Sequence, residues 1–305
     1  MALFDRSIRV EFSGVDIPPV TDLRVAFEVD KNDGLQFNHG LITIYNMQEK
    51  NRFKIARAHP DGFPMIEPII IVSLYAGYKD KEILLFTGDV LSAINSKRGP
   101  TWQTEIDIYS GLNDSTRADV QVSFSLPTNS KSIIDQLLAN LNIDIKYTPE
   151  AFSILRSRRI NDFSASGMAA KEASVLLGRY GLSFTIEENG QGLVYVFDRP
   201  RNPQSGKTND NTFTTGAGEN STGNGVIGTP MITRRGIDLK SYLRPRLKLF
   251  EKIFVQSATT TGTLQAVDYS PEYHIIGLKH IGDNRGADWF SELECIYSSL
   301  VPGEY

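Results

Sequence analysis

Apolar residues recur at every second position over Leu23, Val25, Phe27 and Val29, with Arg24, Ala26 and Glu28 between them. That period predicts a strand with one buried face. Asn32, Asp33 and Gly34 then supply turn chemistry, so a hairpin is expected whose second strand lies around Leu35 and Phe37, with a further strand over the run LITIYN. Asn46 with Glu49 three residues later has the form of a capping box, and MQEKNRFKIARAH is expected to form a short helix before Pro60. Further strands are predicted at IIIVSLYAGY, EILLFTGDVLSAI and TWQTEIDIYSG, spaced as in a barrel or sandwich.

The period changes after residue 116. SKSIIDQLLANLN places Ile133, Ile134, Leu137, Leu138 and Leu141 on one helical face. Thr148, Pro149 and Glu150 open a second helix, with Thr as cap, Pro at the first helical position and Glu favoured by the dipole. A third helix carries Ala169, Ala173, Leu176, Leu177 and Tyr180 on one stripe, with Gly181 where a left-handed cap is needed. LSFTIEE and GLVYVFD are expected to pair around a turn at Asn189–Gly192. From Arg199 to about Gly228, Gly, Asn, Thr and Ser dominate and Phe213 is the exception, which reads as a mobile loop. The strand pattern resumes at KIFVQSATTTGTLQAV, EYHIIGLKH and DWFSELECIYSSL.

The expected fold class is therefore α+β, mainly β. A strand-rich domain covers 1–115, a helix-containing α+β domain 116–200, a flexible Gly/Asn/Thr/Ser-rich loop 201–228, and a second strand-rich domain 229–305. A chain of 305 residues with 40% hydrophobic and 22% charged residues has ordinary globular usage. Its longest strongly apolar stretch, PIIIVSLYA, is far below the ~20 residues that span a bilayer, so no membrane anchor is expected. Thirty-two Lys plus Arg against thirty-six Asp plus Glu leave a net charge of -4, which gives no electrostatic support to coating nucleic acid. The single cysteine, Cys295, excludes an internal disulfide and a Cys-based zinc site.

Candidate chemistry is sparse. Ser205, Gly206, Lys207 and Thr208 contain the GKT of a phosphate loop, but Arg201 stands where the leading glycine belongs and no helix-forming sequence follows. Asp30, Asn32, Asp33 and Gly34 suggest a calcium loop, yet the glycine is one position early and Leu41 occupies position twelve. His39, His59, His274 and His280 show no close metal-ligand spacing. Asp283, Asp288, Glu292 and Glu294 form the densest late acidic cluster; alternation of Glu292 and Glu294 with Leu293 and Cys295 reads as a half-exposed strand. No GxSxG elbow is present. No catalytic residue, metal or cofactor is therefore assigned. The segment from Arg234 to Lys248 carries six basic residues, including Arg234, Arg235, Arg244 and Arg246, with Asp238 as its one acid; residues 283 to 305 carry five acids against Arg285. Pairing of these charges between subunits, pairing within one domain, and two solvated faces are all compatible with this pattern.

Four stretches together resemble the baseplate hub proteins of contractile-tailed bacteriophages. NHGLITIYNMQEKNR looks like a strand ending in I-Y-N before a short helix, and VSLYAGYKDKEILLFTGDV like an aGY followed by F-x-G. GTPMITRRGIDLKSYLRPRLK is similar to G-I-P, R-G-I and L-x-P elements. YHIIGLKHIGDNRGADWFSELECI carries His280, Gly282, Asp283, Arg285, Gly286, Asp288 and Trp289 in an H-x-G-D-x-R-G-x-D-W pattern. Thr229 stands where Ile often precedes Pro230, and Phe250 and Glu251 stand near where a glycine commonly precedes the final strands.

The resemblance implies two tube-like β-barrel domains with a small α+β domain between them, and a homotrimer. Such a trimer presents six quasi-equivalent units, which match a sixfold tail tube on one face and a threefold central spike on the other. It further implies tape-measure and baseplate wedge partners, genomic DNA only in transit through the lumen, and a place in the virion tail baseplate after assembly in the host cytoplasm. A hub of a bacterial contractile secretion system, a baseplate-associated glycan or peptidoglycan hydrolase, and a glycan-binding sandwich are the rival readings. In the H-x-G-D-x-R-G-x-D-W element, Gly282 and Gly286 are expected to permit a tight or left-handed turn, Asp283 to hold turn amides and Trp289 to anchor the return strand.

Overall fold

A computed structural model describes residues 5–32, 38–56, 69–79, 81–110, 118–141, 143–186, 191–197, 199, 206–215, 225–257 and 272–297. The alternating runs form strands β1 (Arg6–Ser13), β2 (Val25–Asn32), β3 (His39–Tyr45), β4 (Ile71–Tyr78), β5 (Lys81–Arg98) and β6 (Thr101–Tyr109), with helix α1 (Glu49–Ile55) after β3. The middle of the chain forms β7 (Asp119–Phe124), β8 (Thr128–Asn129), α2 (Ser130–Leu138), β9 (Ile145–Tyr147), α3 (Pro149–Ser157), β10 (Arg159–Ile160), β11 (Phe163–Met168), α4 (Ala169–Gly178), β12 (Leu182–Ile186) and β13 (Gly192–Val196). The last part forms β14 (Thr212–Thr215), β15 (Met231–Ile232), β16 (Gly236–Tyr242), β17 (Lys252–Ser257), β18 (Glu272–Asp283) and β19 (Trp289–Tyr297).

One twelve-stranded sheet takes in both strand-rich ends, in the order β1-β4-β5-β6-β3-β2-β18-β19-β16-β15, with β17 on β18 and β14 parallel to β17. The antiparallel β2–β18 pairing joins the first end to the last. The architecture is thus α+β and mainly β; among the described residues no sheet closes on itself. Burial follows the period-two pattern, since Val25, Phe27 and Val29 face inward together with Ile42, Ile44, Ile106 and Ile108. Trp289 and Leu243 come from the far end of the chain to complete this first core. A second core lies between α2, α4 and the small middle sheets, and a third gathers Leu193, Tyr195 and Phe213 against β16, β18 and β19.

The middle helices form as their sequences direct. Ile133, Ile134, Leu137, Leu138 and Leu141 are fully buried. Thr148 caps α3 through its side chain with Pro149 at the first turn, and Gly181 takes φ 66 beyond α4.

Three expectations are corrected and a fourth is narrowed. The hairpin partner of β2 is the HGLITIY strand itself, because Ile42 and Ile44 stand opposite Phe27 and Val25 and so bury one continuous apolar face; Leu35 and Phe37 lie outside the described residues. Asn46 is no capping residue: α1 starts after Gln48 with no side-chain cap, while Asn46 adopts φ 55 and accepts the Trp102 N–H on its Oδ1. Part of the stretch read as a flexible loop is β14, where Phe213 is fully buried because its apolar ring has a place in the third core. Of the tight or left-handed turn expected at Gly282 and Gly286, the tight turn is present, with the Gly286 N–H donating to the Asp283 carbonyl, and neither glycine has a left-handed backbone. A Cβ on Gly282 would stand 2.4 Å from the Phe27 ring and 2.8 Å from Trp289, and one on Gly286 would stand 2.4 Å from the Asp283 carboxylate, so close approach is what requires glycine.

The left-handed conformation appears instead at Phe250, with φ 62, near the place where the resembled family commonly has glycine. Such a backbone costs a bulky residue about 1 to 3 kcal/mol. Burial of the ring, stacked 3.9 Å centroid to centroid on Tyr195, and the bond from its N–H to the Ile275 carbonyl hold it there.

Candidate functional site

The H-x-G-D-x-R-G-x-D-W residues form the β18–β19 hairpin end, which is clasped by the first end of the chain. Gly282 pairs with Trp289, and the Asp283 N–H donates to the Asp288 carbonyl at 2.8 Å to close the turn. The Arg6 guanidinium reaches into this turn and donates to the carbonyls of Asp283 at 2.7 Å, Gly286 at 2.6 Å, Ala287 at 3.1 Å and Asp288 at 3.3 Å. Arg24 holds the Asp283 carboxylate from the other side, with Nη2 2.7 Å from Oδ2 and Nε 3.2 Å from Oδ1. Asn284 continues β2 by accepting the Val25 N–H and donating to the Leu23 carbonyl, both at 2.9 Å. Arg285 donates its side chain to the Asp22 carbonyl.

Asp283 also accepts the Arg285 N–H at 2.9 Å. Burial by itself pushes its carboxyl up, and Arg24 with the amides of Arg285 and Gly286 outweighs that, leaving it below the usual range. Trp289 is buried against Phe27 at 5.6 Å and Tyr78 at 6.3 Å, both edge-on, with the Arg6 guanidinium 5.5 Å from its ring. The turn therefore fastens the last end of the chain to the first. Arg6→Ala is expected to lower stability by about 1.5 to 3 kcal/mol, because several carbonyls lose a charged donor. A chemical denaturation midpoint unchanged from the wild type would show that the clasp contributes nothing.

The basic and acidic segments meet within the chain, since β16 pairs with β19. Lys240 stands opposite Glu292 with Nζ 3.1 Å from the carboxylate. Arg244 donates to the carbonyls of Asn209, Asp210 and Thr212 and covers the Phe213 ring at 4.1 Å, and Arg246 pairs with Asp210. Arg234 and Arg235 are exposed at the β15–β16 turn, with no side-chain partner among the described residues.

The sheet's outward face runs across the junction. His39, Asp30, Lys279, Glu292 and Lys240 stand in register on β3, β2, β18, β19 and β16, so that from Asp30 to Lys240 acidic and basic positions alternate. Lys279 pairs with Glu28 at 2.5 Å. Glu105 and Asp107 extend the face over β6, and Asp238 stands directly opposite Glu294. Over the strand centres, the carboxylates of Glu28, Asp30, Glu105, Asp107, Asp238, Glu292 and Glu294 thus outnumber Lys240, Lys279 and His39; Arg24, at one end, is engaged by Asp283. Burial raises the Asp238 carboxyl above its ordinary value. A groove of about 400 Å³ lies here, lined by Asp30, Asp238, Lys240, Lys279, Glu292 and Glu294 among others.

The remaining motifs yield no enzyme-like constellation. Gly206–Thr208 lead into β14 and not into a helix. His39 pairs with Asp107, while His274 and His280 are fully buried. Among the described residues no three His, Cys, Asp or Glu side chains are grouped to hold a metal ion. Burial pushes the Cys295 thiol well up, so the thiolate is disfavoured. Arg6, Arg24 and Asn284 were not singled out by sequence. Asn284 sits inside the motif and was legible from it, whereas Arg6 and Arg24 lie some 260 to 280 residues away, and no local pattern marks them.

No protein-family model matches the chain, and no curated protein sequence matches it either. Solved structures do. The 43 kDa tail protein of prophage MuSo2 from Shewanella oneidensis is 10% identical with TM-score 0.62, over 96% of this chain and 97% of that one. The tail protein from Neisseria meningitidis MC58 is 8% identical with TM-score 0.64, over 97% of each chain. The E. coli c3393 protein, a type VI secretion system component described as structurally similar to the T4 bacteriophage tail proteins gp27 and gp5, is 12% identical with TM-score 0.56, over 95% of this chain and 77% of that one. The chain has the fold of these tail and secretion-system proteins, in line with the hub resemblance of its motifs.

Proposed function

We propose that this chain is a structural hub of a contractile-tail baseplate, a trimeric symmetry adaptor between a sixfold tail tube and a threefold central spike. The observation that carries this reading is the single sheet running through both strand-rich ends, with carboxylates predominating on its outward face. In the proposed trimer the two ends of each chain act as tube-like barrel modules, so three chains supply six around a ring. The outward face of the shared sheet borders the channel. DNA in transit is repelled by carboxylates, whereas a basic wall would bind its phosphates and release counterions.

Likeness to phage tail proteins supports a non-enzymatic, tail-associated role. The proposed partners are the spike, the tail tube, and tape-measure and wedge proteins, in a virion baseplate assembled in the host cytoplasm. The second reading is a hub of a bacterial contractile secretion system, which the likeness to the E. coli type VI component favours; the identity of neighbouring genes separates the two.

We assign contact between copies to Arg234 and Arg235, which remain exposed and, among the described residues, unpaired after the other segment cations named here are engaged within the chain. The turn from His280 to Trp289 is assigned an internal structural role that keeps the two ends in fixed relation. Light scattering on the purified protein is expected to give a mass near three times 34.0 kDa, with an open threefold ring in particle images of the same peak. Arg234→Glu with Arg235→Glu is expected to dissociate it. A wild-type protein that stays monomeric even with spike and tube proteins would overturn the hub reading, and a trimer indifferent to the double substitution would overturn only the contact.

A further inference from the structure

We propose that His280 is an acid-sensitive latch on the seam between the two strand-rich ends, and that its protonation opens the β2–β18 pairing. The residue sits where such a latch would act. It stands opposite Val29 of β2 and Ser291 of β19, fully buried, in the strand through which the sheet passes from one end of the chain to the other.

The ring's surroundings favour its neutral form. Its Nδ1 is 2.8 Å from Ser291 Oγ, and that oxygen accepts the Arg244 N–H at 3.0 Å. A Ser291 hydroxyl whose proton points at Nδ1 satisfies all three groups at once. Nε2 is buried with no hydrogen-bond partner among the described residues. In that neutral tautomer Nε2 carries the ring's proton, so its unpartnered N–H is common to both states; on protonation the change falls at Nδ1, whose new N–H points at Ser291 Oγ and forces the fully buried hydroxyl to turn its own proton away while it still accepts the Arg244 N–H.

The charges around the ring add to this. From β2, Lys31 is itself buried and stands one diagonal step away, opposite Leu278 on the same inward face. From β19 comes the neutral Ser291 hydroxyl, and from the chain after β16 the Arg244 main chain. Within β18, Lys279 points to the outer face and pairs with Glu28. An imidazolium here would be a second buried cation beside Lys31. Burial first, and Lys31 second, hold the ring's affinity for a proton well below the usual imidazole range.

The direction of the pH effect follows. In an opened seam the ring meets water and titrates near its ordinary value of about 6.5. Below that pH the open state takes a proton that the closed state refuses, so the opening constant rises, approaching about tenfold for each pH unit well below 6.5. Above it, His280 contributes no pH dependence.

Amide hydrogen exchange on the intact protein, corrected for the intrinsic pH dependence of exchange, tests this. Protection at β2 and β18 amides is expected to be nearly constant from pH 8 to 7 and to fall about fivefold between pH 6.5 and 5.5, with β5 and β6 changing less. His280→Gln is expected to abolish that fall, and His274→Gln, at the other buried histidine of β18, to leave it intact. Titration of the labelled histidine rings in the wild type provides a readout that needs no variant: the His280 signal of the closed protein is expected to stay neutral at pH 5.5. A ring that titrates near 6.5 with the seam closed, a fall that persists in His280→Gln, or one that follows His274 would each overturn the proposal.

Discussion

Trp289→Ala is expected to lower the free energy of unfolding by about 3 to 5 kcal/mol, the range for removing a buried aromatic side chain. The ring is 3% exposed and belongs to the first core although it comes from β19. It lies edge-on to Phe27 and Tyr78, and Gly282 is beneath it because a Cβ there would stand 2.8 Å from the ring. Truncation would leave a void at the place where the two ends of the chain are fastened, and the Arg6 guanidinium would lose its aromatic face. Packing around such a void relaxes only in part, since the Arg6 and Arg24 clasps hold the turn on both sides. Trp289→Phe is expected to recover much of the loss. Equilibrium denaturation with unchanged slope reads the difference, and a Trp289→Ala protein with a wild-type midpoint would mean that the ring does not anchor this turn.

Phe213→Ala is expected to cost a similar amount, about 3 to 5 kcal/mol. This residue separates two accounts of its segment. In a mobile loop, loss of its ring would change stability by only a few tenths of a kcal/mol, as at other surface sites. In the structure the ring is fully buried on β14, beside β17 and beneath the Arg244 guanidinium at 4.1 Å. Arg244 in turn donates to the carbonyls of Asn209, Asp210 and Thr212, so strand, ring and guanidinium form one unit. Burial lowers the Arg244 pKa from its ordinary value and outweighs Asp210, which raises it. A Phe213→Ala protein as stable as the wild type would return the segment to a loop.

Periodicity in the sequence was a good guide wherever one face of an element meets a core. The helix over Ser130–Leu138 buries the five residues its spacing selects together with the turn that follows it, and Thr148 with Pro149 starts the next helix as expected. It misled where a side chain had a second option. Asn46 and Glu49 have capping-box spacing, yet Asn46 reaches Trp102 across the chain because a left-handed asparagine closes the turn there. Phe213 was visible as the lone large apolar residue in a polar stretch, but its partner strand lies some forty residues on, beyond any local window.

The motif from His280 to Trp289 shows the same division. Its turn, its buried tryptophan and the use of Asp283 on a turn amide were readable from residue types and spacing, because those interactions are local or depend only on an apolar ring seeking cover. The need for its glycines was readable, but the reason was not: close approach of Phe27 and of the Asp283 carboxylate is a fact of packing, whereas a left-handed turn would have been a fact of the local backbone.

By itself, then, the sequence determined most of the elements, their buried faces and the α+β composition, β14 being an element it did not mark, since periods of 2 and 3.6 are imposed by backbone geometry alone. Tertiary structure alone decided that both ends share one sheet, that Arg6 and Arg24 clasp a turn more than 250 residues away, and that Lys240 meets Glu292 within the chain. Those outcomes depend on which strand edges find each other, and nothing in a local run of residues specifies the partner of an edge.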